Sequence, residues 1–503
     1  MEGRRPRKQR PRWCRLPPQD EEDRLSALPD DVLLYILVKI DLKTAVKTSA
    51  LSTRWTRLPW LLPKLNIDVK DFLPDFLPVP HLKPIEANLL HNAVITLTQA
   101  TRSLLAKPRR ESIITSLRLE LDFVDTFSSD IGPLLCDAVG NGLLKDLDLA
   151  ILDETRSVSP DSDMLKRGQV VEGFFRAYPT VLHCFTRLSL CDLRLVQSDM
   201  QYILFDHCRQ LKHLTISRCD AHDCSLWKVD APNSKLRVLE INICDGFDKI
   251  ELISLPKLEK LDWDLWKSKH PLSFGFVPSL GELGLSNCFH NYLDVLKLSE
   301  FLHGTTGIHT LTLDFQRENI WIQPEIKQLT SVFSKLRKLS VLRMFVEFDL
   351  LWTTTFLEAA PCIEILHVGV CEHSCDEADR VHFPKRSSPR WELGYTGSKN
   401  LLLKELQIIG FKPLEQQLSF IKVILERAPN LQTVVLKEDR KVCKQRNAIT
   451  YNVPLCASTH PAFPKNKDEQ DMVIRRVTDG TFFSGRIVFG DWEALLNVGS
   501  DQA

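Results

Sequence analysis

The sequence predicts an α/β chain in which a short N-terminal helical module precedes a long solenoid of repeated strand units. Three observations predict it. Residues 25–61 carry a helical apolar period interrupted at Asp41 and again near Ser52. From residue 111 onward the pattern L-x-x-L-x-L, with conservative apolar swaps, recurs twelve times. The composition, 44% hydrophobic and 26% charged, is that of an ordinary folded chain, and 503 residues suit two to four domains or one extended array.

Taken in order, residues 1–22 read as a disordered basic tail. Residues 1–15 hold seven basic side chains against one acid, Glu2, with Pro6 and Pro11 among them. Such a tail is either a nuclear localisation signal or merely solvated. The first helix then begins at Pro29, whose missing N–H suits a first turn, with Asp30 and Asp31 at the positive end of the dipole. Leu33, Ile36, Leu37 and Ile40 follow at helical spacing, and Val32 widens the stripe. Leu42, Ala45, Val46 and Ser49 fit a second helix. Ser52 is expected to cap a third, carrying Trp55 and Leu58 and closed by Pro59 and Pro63. A segment of roughly 40 residues is hard to stabilise alone. No cysteine lies between Cys14 and Cys136 to staple it, so an apolar face is left either for docking or for packing on the rest of the chain.

The stretch LPDDVLLYIL followed by SALSTRW resembles the F-box. It carries Leu28-Pro29, Val32-Leu33, Ile36-Leu37, Ile40, Ser49, Leu51-Ser52 and Arg54-Trp55 in the family's order and spacing. The resemblance covers residues 24–65. It implies docking on the Skp-type adaptor of a cullin ubiquitin ligase, with Leu28, Pro29, Val32, Leu33, Ile36 and Leu37 facing the adaptor and Trp55 a core anchor. Residues 66–110 are expected to form a proline-studded connector with a helix over 86–106.

The repeats start at 114, 144, 185, 211, 236, 258, 280, 308, 336, 363, 403 and 431. Most spacings lie in or near the ~20–29 residues of a leucine-rich repeat, and two near 40 signal insertions. Each unit supplies one short parallel strand and a return segment, and buries its apolar edge only by stacking on neighbours. The expected fold is therefore an F-box followed by a leucine-rich-repeat solenoid over 111–390, with parallel strands on the concave side. Cys219, Cys244 and Cys288 fall where such repeats place a cysteine after the strand. Residues 391–440 resemble the FBD region that ends many plant F-box proteins with such repeats. The shared features are a strand over 403–409, Gly410-Phe411, an amphipathic helix over 417–427, Ala428-Pro429-Asn430 and a closing strand. Residues 441–503 are left unassigned.

Lys plus Arg and Asp plus Glu both total 65, so no global charge points to nucleic acid or a membrane surface. No uncharged apolar run approaches the ~18 residues of a membrane span, and the N-terminus lacks the apolar core of a signal peptide. Fourteen scattered cysteines suit reduced thiols in nucleus or cytoplasm. There is no G-x-S-x-G elbow, and Gly281 and Gly284 fall inside a repeat strand rather than a phosphate loop. His367, Cys371, His373 and Cys375 interleave instead of forming the two separated pairs of a zinc site. Trp263, Trp266, Trp321 and Trp352 read as packing rather than a ligand cage. No catalytic residue, metal or cofactor is assigned.

The sequence thus points to a non-catalytic receptor, or alternatively to a leucine-rich-repeat scaffold whose helical N-terminus serves another partner. For the receptor, strand alternation turns the residues between the leucines away from the core. In the five repeats from 211 to 308 these include Glu240, Asp262, Asp264, Glu282 and Asp314 against Lys260. The expected target presents a Lys/Arg-rich segment to that stripe.

Overall fold

The computed structural model describes residues 25, 27–74, 87–106, 110, 112–122, 127–152, 161–195, 200–221, 226–266, 271–287, 296–316, 320–323, 325–346, 348–371, 401–438 and 461–490. Helix α1 (Asp30–Leu37) and helix α2 (Leu42–Lys47) open the chain. Asp41 caps α2 by accepting the Thr44 N–H at 2.8 Å. The expected third helix is instead a run of turns, with Thr56 N–H donating to the Ser52 carbonyl, followed by a 3₁₀ turn over Leu58–Leu61. Pro59 opens that turn rather than closing a helix, because its ring tolerates only the first positions of one.

All twelve predicted strand sites are strands of one parallel sheet. In chain order the strands are β1 (Lys64–Asp68), β2 (Ile114–Asp122), β3 (Leu144–Leu152), β4 (Phe185–Cys191), β5 (His213–Ser217), β6 (Leu226–Asp230), β7 (Val238–Asn242), β8 (Lys249–Ser254), β9 (Lys260–Asp264) and β10 (Leu272–Phe276). They continue as β11 (Glu282–Ser286), β12 (Leu296–Lys297), β13 (Thr310–Asp314), β14 (Ile322–Gln323), β15 (Lys338–Phe345), β16 (Ile365–Cys371), β17 (Glu405–Ile409), β18 (Thr433–Lys437) and β19 (Arg486–Gly490). The main sheet has 14 strands, in the order β1-β2-β3-β4-β5-β7-β9-β11-β13-β15-β16-β17-β18-β19. The template leucines meet in register, as in Leu239↔Leu261 and Leu261↔Leu283, and their side chains are fully buried.

Two strands of the main sheet lie outside the predicted twelve. β1 falls where a connector was expected. Its Leu62-Leu65-Ile67 fits the repeat template, and all three side chains are buried. It pairs with β2 through Leu65↔Leu117 and Ile67↔Leu119. β19 extends the array into the unassigned tail, where Ser484 stands in place of the first leucine. Ahead of it lies helix α10 (Lys467–Thr478), which Asn466 caps by accepting the Glu469 N–H.

The return segments differ along the array. Helices α3 (Ala87–Leu105), α4 (Phe127–Gly140), α5 (Asp161–Ala177) and α6 (Pro179–Leu182) serve the first repeats. The middle repeats return through a second parallel sheet, β10-β8-β6, buried on one side through Trp227, Val229, Ile250 and Leu252. Short helices α7 (Leu298–Phe301) and α8 (Thr354–Ala359), then α9 (Glu415–Arg427), cover the later ones. Residues one past the strands, Asp192, Arg218, Ile243 and Leu265, adopt positive φ between 49° and 60°, as does Arg343 at the irregularity inside β15. None is glycine. The ladder is kept there, as Arg218 N–H donates to Asn242 and Leu265 N–H to Ser286, which offsets the roughly 1–2 kcal/mol such a backbone costs.

In the core, Trp263, Trp266 and Trp321 pack in a row with ring centroids 5.9 and 5.1 Å apart, the second contact edge-to-face, and Phe315 continues the row edge-to-face to Trp352 at 5.9 Å. All are buried, so these aromatics are core. Cys219 and Cys244 are buried thiols donating to the carbonyls of Ser217 and Asn242 at 3.4 Å each. Cys288 lies outside the described residues, as do residues 1–24, the segment 391–400, His373 and Cys375. Among the described residues no group of three or more His, Cys, Asp or Glu could hold a metal ion.

Candidate functional site: an N-terminal apolar face and the open face of the sheet

Helix α1 presents two adjacent columns of apolar residues, and the structure turns only one of them outward. Leu33 and Leu37 are 0% and 1% exposed, packed in the same core as Ala45, Trp55, Leu58 and Leu62. The expectation that these two face an adaptor is therefore corrected: at i and i+4 on the inner column, they hold the module together. Val32 is 38% exposed, Ile36 partly so, and Pro29 fully on the surface beside the half-buried Leu28. Tyr35, 66% exposed, joins this outer face, and Leu51 elsewhere in the module is 65% exposed. Tyr35 was not singled out from the sequence; Leu51 was, as part of the F-box resemblance. Arg54 fixes the entry to the helix, donating to the Leu28 carbonyl at 2.6 Å and through Nε to Asp30 at 2.9 Å. Arg110, buried, ties the module to the array by donating to the carbonyls of Leu104 and Leu62 at 2.9 Å each. Burial lowers its pKa to about 10, still cationic near neutrality.

The open face of the main sheet brings the five predicted acids together, as the pleat requires. Asp262 pairs in register with Glu240 on one side and Gly284 on the other. The Asp262 carboxylate reaches over Gly284, where a side chain would require it to move aside. The face also supplies cations that the five-repeat count left out. Arg343 grips both oxygens of Asp314 at 2.6 and 2.7 Å, so five acids stand against two bases. Lys260 reaches Asp262 at 2.6 Å and Glu240 at 3.8 Å. Asp264 accepts from Gln316 and is pushed up chiefly by burial. Glu282 is the most open of the five. Further along, burial together with Lys338 and Lys437 lowers the pKa of His367 to about 4, so it is neutral at ordinary pH.

Glu240 is held down to about 2, first by the hydrogen bond from His213 at 3.2 Å and then by one from Thr215 at 3.0 Å. Its folded pKa lies below the unfolded value of roughly 4.3. The stabilisation is thus present above the unfolded pKa and lost as pH falls through about 2. Glu240→Gln is expected to flatten the loss of stability across that window, measured by denaturant unfolding at stepped pH. Parallel slopes for parent and variant would contradict it.

Two family models match this architecture. An F-box domain model covers residues 25–58, and the model described as At1g61320/AtMIF1, LRR domain covers residues 175–476, more than half of the chain. The chain belongs to the plant-type F-box proteins with leucine-rich repeats. Among curated relatives from Arabidopsis thaliana, this F-box/leucine-rich-repeat protein is 22% identical over 338 residues to F-box protein At5g03100, covering 65% of this chain and 90% of that one. It is 23% identical over 430 residues to F-box/FBD/LRR-repeat protein At5g56420, covering 82% and 91%. F-box/FBD/LRR-repeat protein At5g53840 is 49% identical over a 51-residue stretch, 10% of this chain and 12% of that one. The FBD resemblance corresponds here to β17, the positive-φ Gly410, a buried Phe411, α9 and β18, which extend the repeat array without a break in the sheet.

Proposed function

We propose that this chain is the non-catalytic substrate-recognition subunit of a Skp–cullin–F-box type ubiquitin ligase. The observation that carries the reading is the outward apolar face of α1, with Val32, Tyr35 and Ile36, inside the region that matches the F-box model. A stable module that leaves such residues in water has the character of a docking surface. The adaptor docks there, the cullin joins through the adaptor, and the repeat array holds the target. Free thiols at every described cysteine suit action in nucleus or cytoplasm. Co-expression of the tagged chain with a Skp-type adaptor should give a stoichiometric complex that recruits a cullin. A chain that purifies folded and without adaptor would overturn the reading in favour of a repeat scaffold with another partner.

The acid stripe from Glu240 to Asp314 is read as one contact for a Lys/Arg-rich segment of the target. Reversing Asp262, Asp264 and Glu282 to Lys should weaken capture of a Lys-rich peptide and flatten its salt dependence. Unchanged capture would leave that face as solvated surface.

A further inference from the structure

The rim formed by the entries to the last strands holds a second, oppositely charged feature. Between the turns that lead into β15–β19 lies a cleft of about 850 Å³, lined by Arg337, Glu364, Leu402, Lys404, Gln432 and Arg486 among others. That volume is within the ~300–1,000 Å³ of ligand-binding clefts. Three cations face one carboxylate there, on a chain of zero net charge. Glu364 is shared: Arg337 approaches its Oε1 at 3.3 Å and Lys404 the same oxygen at 3.1 Å. Arg486, on the surface, has no carboxylate partner among the described residues.

The cleft also has an apolar ledge. Leu402 is 48% exposed within it, and Pro429 stands in the same lining. Gly485 lets the wall approach the Gln432 carbonyl, where any side chain would clash at 2.5 Å. The lining is open, with the Arg337 and Lys404 side chains 67% and 51% exposed. An extended chain lies in such a groove more readily than an enclosed small molecule. Clustered Arg and Lys beside an apolar shelf suit a segment of Asp and Glu flanking a large apolar side chain.

We infer that this cleft binds an acidic, extended segment of the target protein, a reading that deepens the receptor function and rests on it. The contact sits on the rim several repeats beyond the acid stripe, so the two are separable by mutation.

The test is fluorescence anisotropy on the full-length chain in complex with its adaptor. One labelled peptide is rich in Asp and Glu around a central Phe; the other has Lys at every acidic position. The acidic peptide should bind more tightly, and Lys404→Glu with Arg486→Glu should weaken it about tenfold or more. Lys404→Gln with Arg486→Gln should fall between, and Arg237→Glu, on the same rim but outside the cleft, should change nothing. Equal binding of both peptides, or acidic binding untouched by the double reversal, overturns the proposal. Adaptor capture measured on the same variants should be retained throughout. If acidic binding persists while the parent chain captures no adaptor, the receptor reading fails and the cleft stands.

Discussion

Replacing Val32 and Ile36 with Asp is expected to abolish co-purification with a Skp-type adaptor while leaving the melting temperature of the chain nearly unchanged. Both residues lie on the outer column of α1, one exposed and one partly so, and neither belongs to the buried set. In the free chain the new carboxylates stay in water and cost little. In the complex each would be an unpaired charge under an apolar interface, at several kcal/mol. At about 1.4 kcal/mol per tenfold, two such groups take binding beyond detection. Leu33→Asp makes the contrast, because that side chain is 0% exposed inside the module. It should lower the melting temperature as well as adaptor capture. Capture by the Val32/Ile36 variant at the parent level would mean that the adaptor docks elsewhere.

The second large effect is expected far from the F-box. Arg427, at the end of α9, pairs with Glu358 in α8, and the two side chains are only 11% and 6% exposed. The sequence separation of 69 residues includes the segment 372–400 that intervenes between the two repeats. Arg427→Ala removes the cationic partner of the buried Glu358 carboxylate, and breaking such a pair costs about 3–5 kcal/mol. Replacing both, Glu358→Leu with Arg427→Met, should restore most of that loss, since an apolar pair of similar volume avoids desolvating two charges. Chemical denaturation of the three proteins decides it. Equal midpoints for the single and double variants would show that the pair contributes nothing specific. Adaptor capture should survive in all of them, because repeat stability spreads only to neighbours.

The strands were legible because a stacked unit has little choice: two alternate positions and one preceding residue must be apolar, and Leu236-Leu239-Ile241 meets that demand as plainly as any. β1 satisfied the same template at Leu62-Leu65-Ile67, but α3 intervenes before β2, so the start-to-start spacing concealed it. β19 hid for the opposite reason, with the fold intact but the first leucine replaced by Ser484. The strands of the second sheet, such as Trp227-x-Val229, are as long as the template strands but fall between two successive matches, inside the return segment of a repeat already counted. In α1, Val32 and Ile36 have the same spacing as Leu33 and Leu37. Periodicity finds the stripe, and only packing against Trp55 tells which column turns inward. The cations over the acid stripe were hidden differently. Arg343 reaches Asp314 from a left-handed position that no glycine marks.

β1 follows the 3₁₀ turn Leu58–Leu61 of the helical module after only Leu62 and Pro63, and it is hydrogen-bonded edge to edge with the first repeat. Backbone bonds from Thr115 and Ser116 to the Pro63 carbonyl, and from the Ser112 hydroxyl to Trp60, brace the junction. No hinge separates the docking end from the array. On the receptor reading, the ligase and its cargo therefore share one lever arm, and a bound target is held at a fixed bearing toward the ubiquitin donor. Which lysines are modified then depends on where they lie along that bearing more than on how many the target displays.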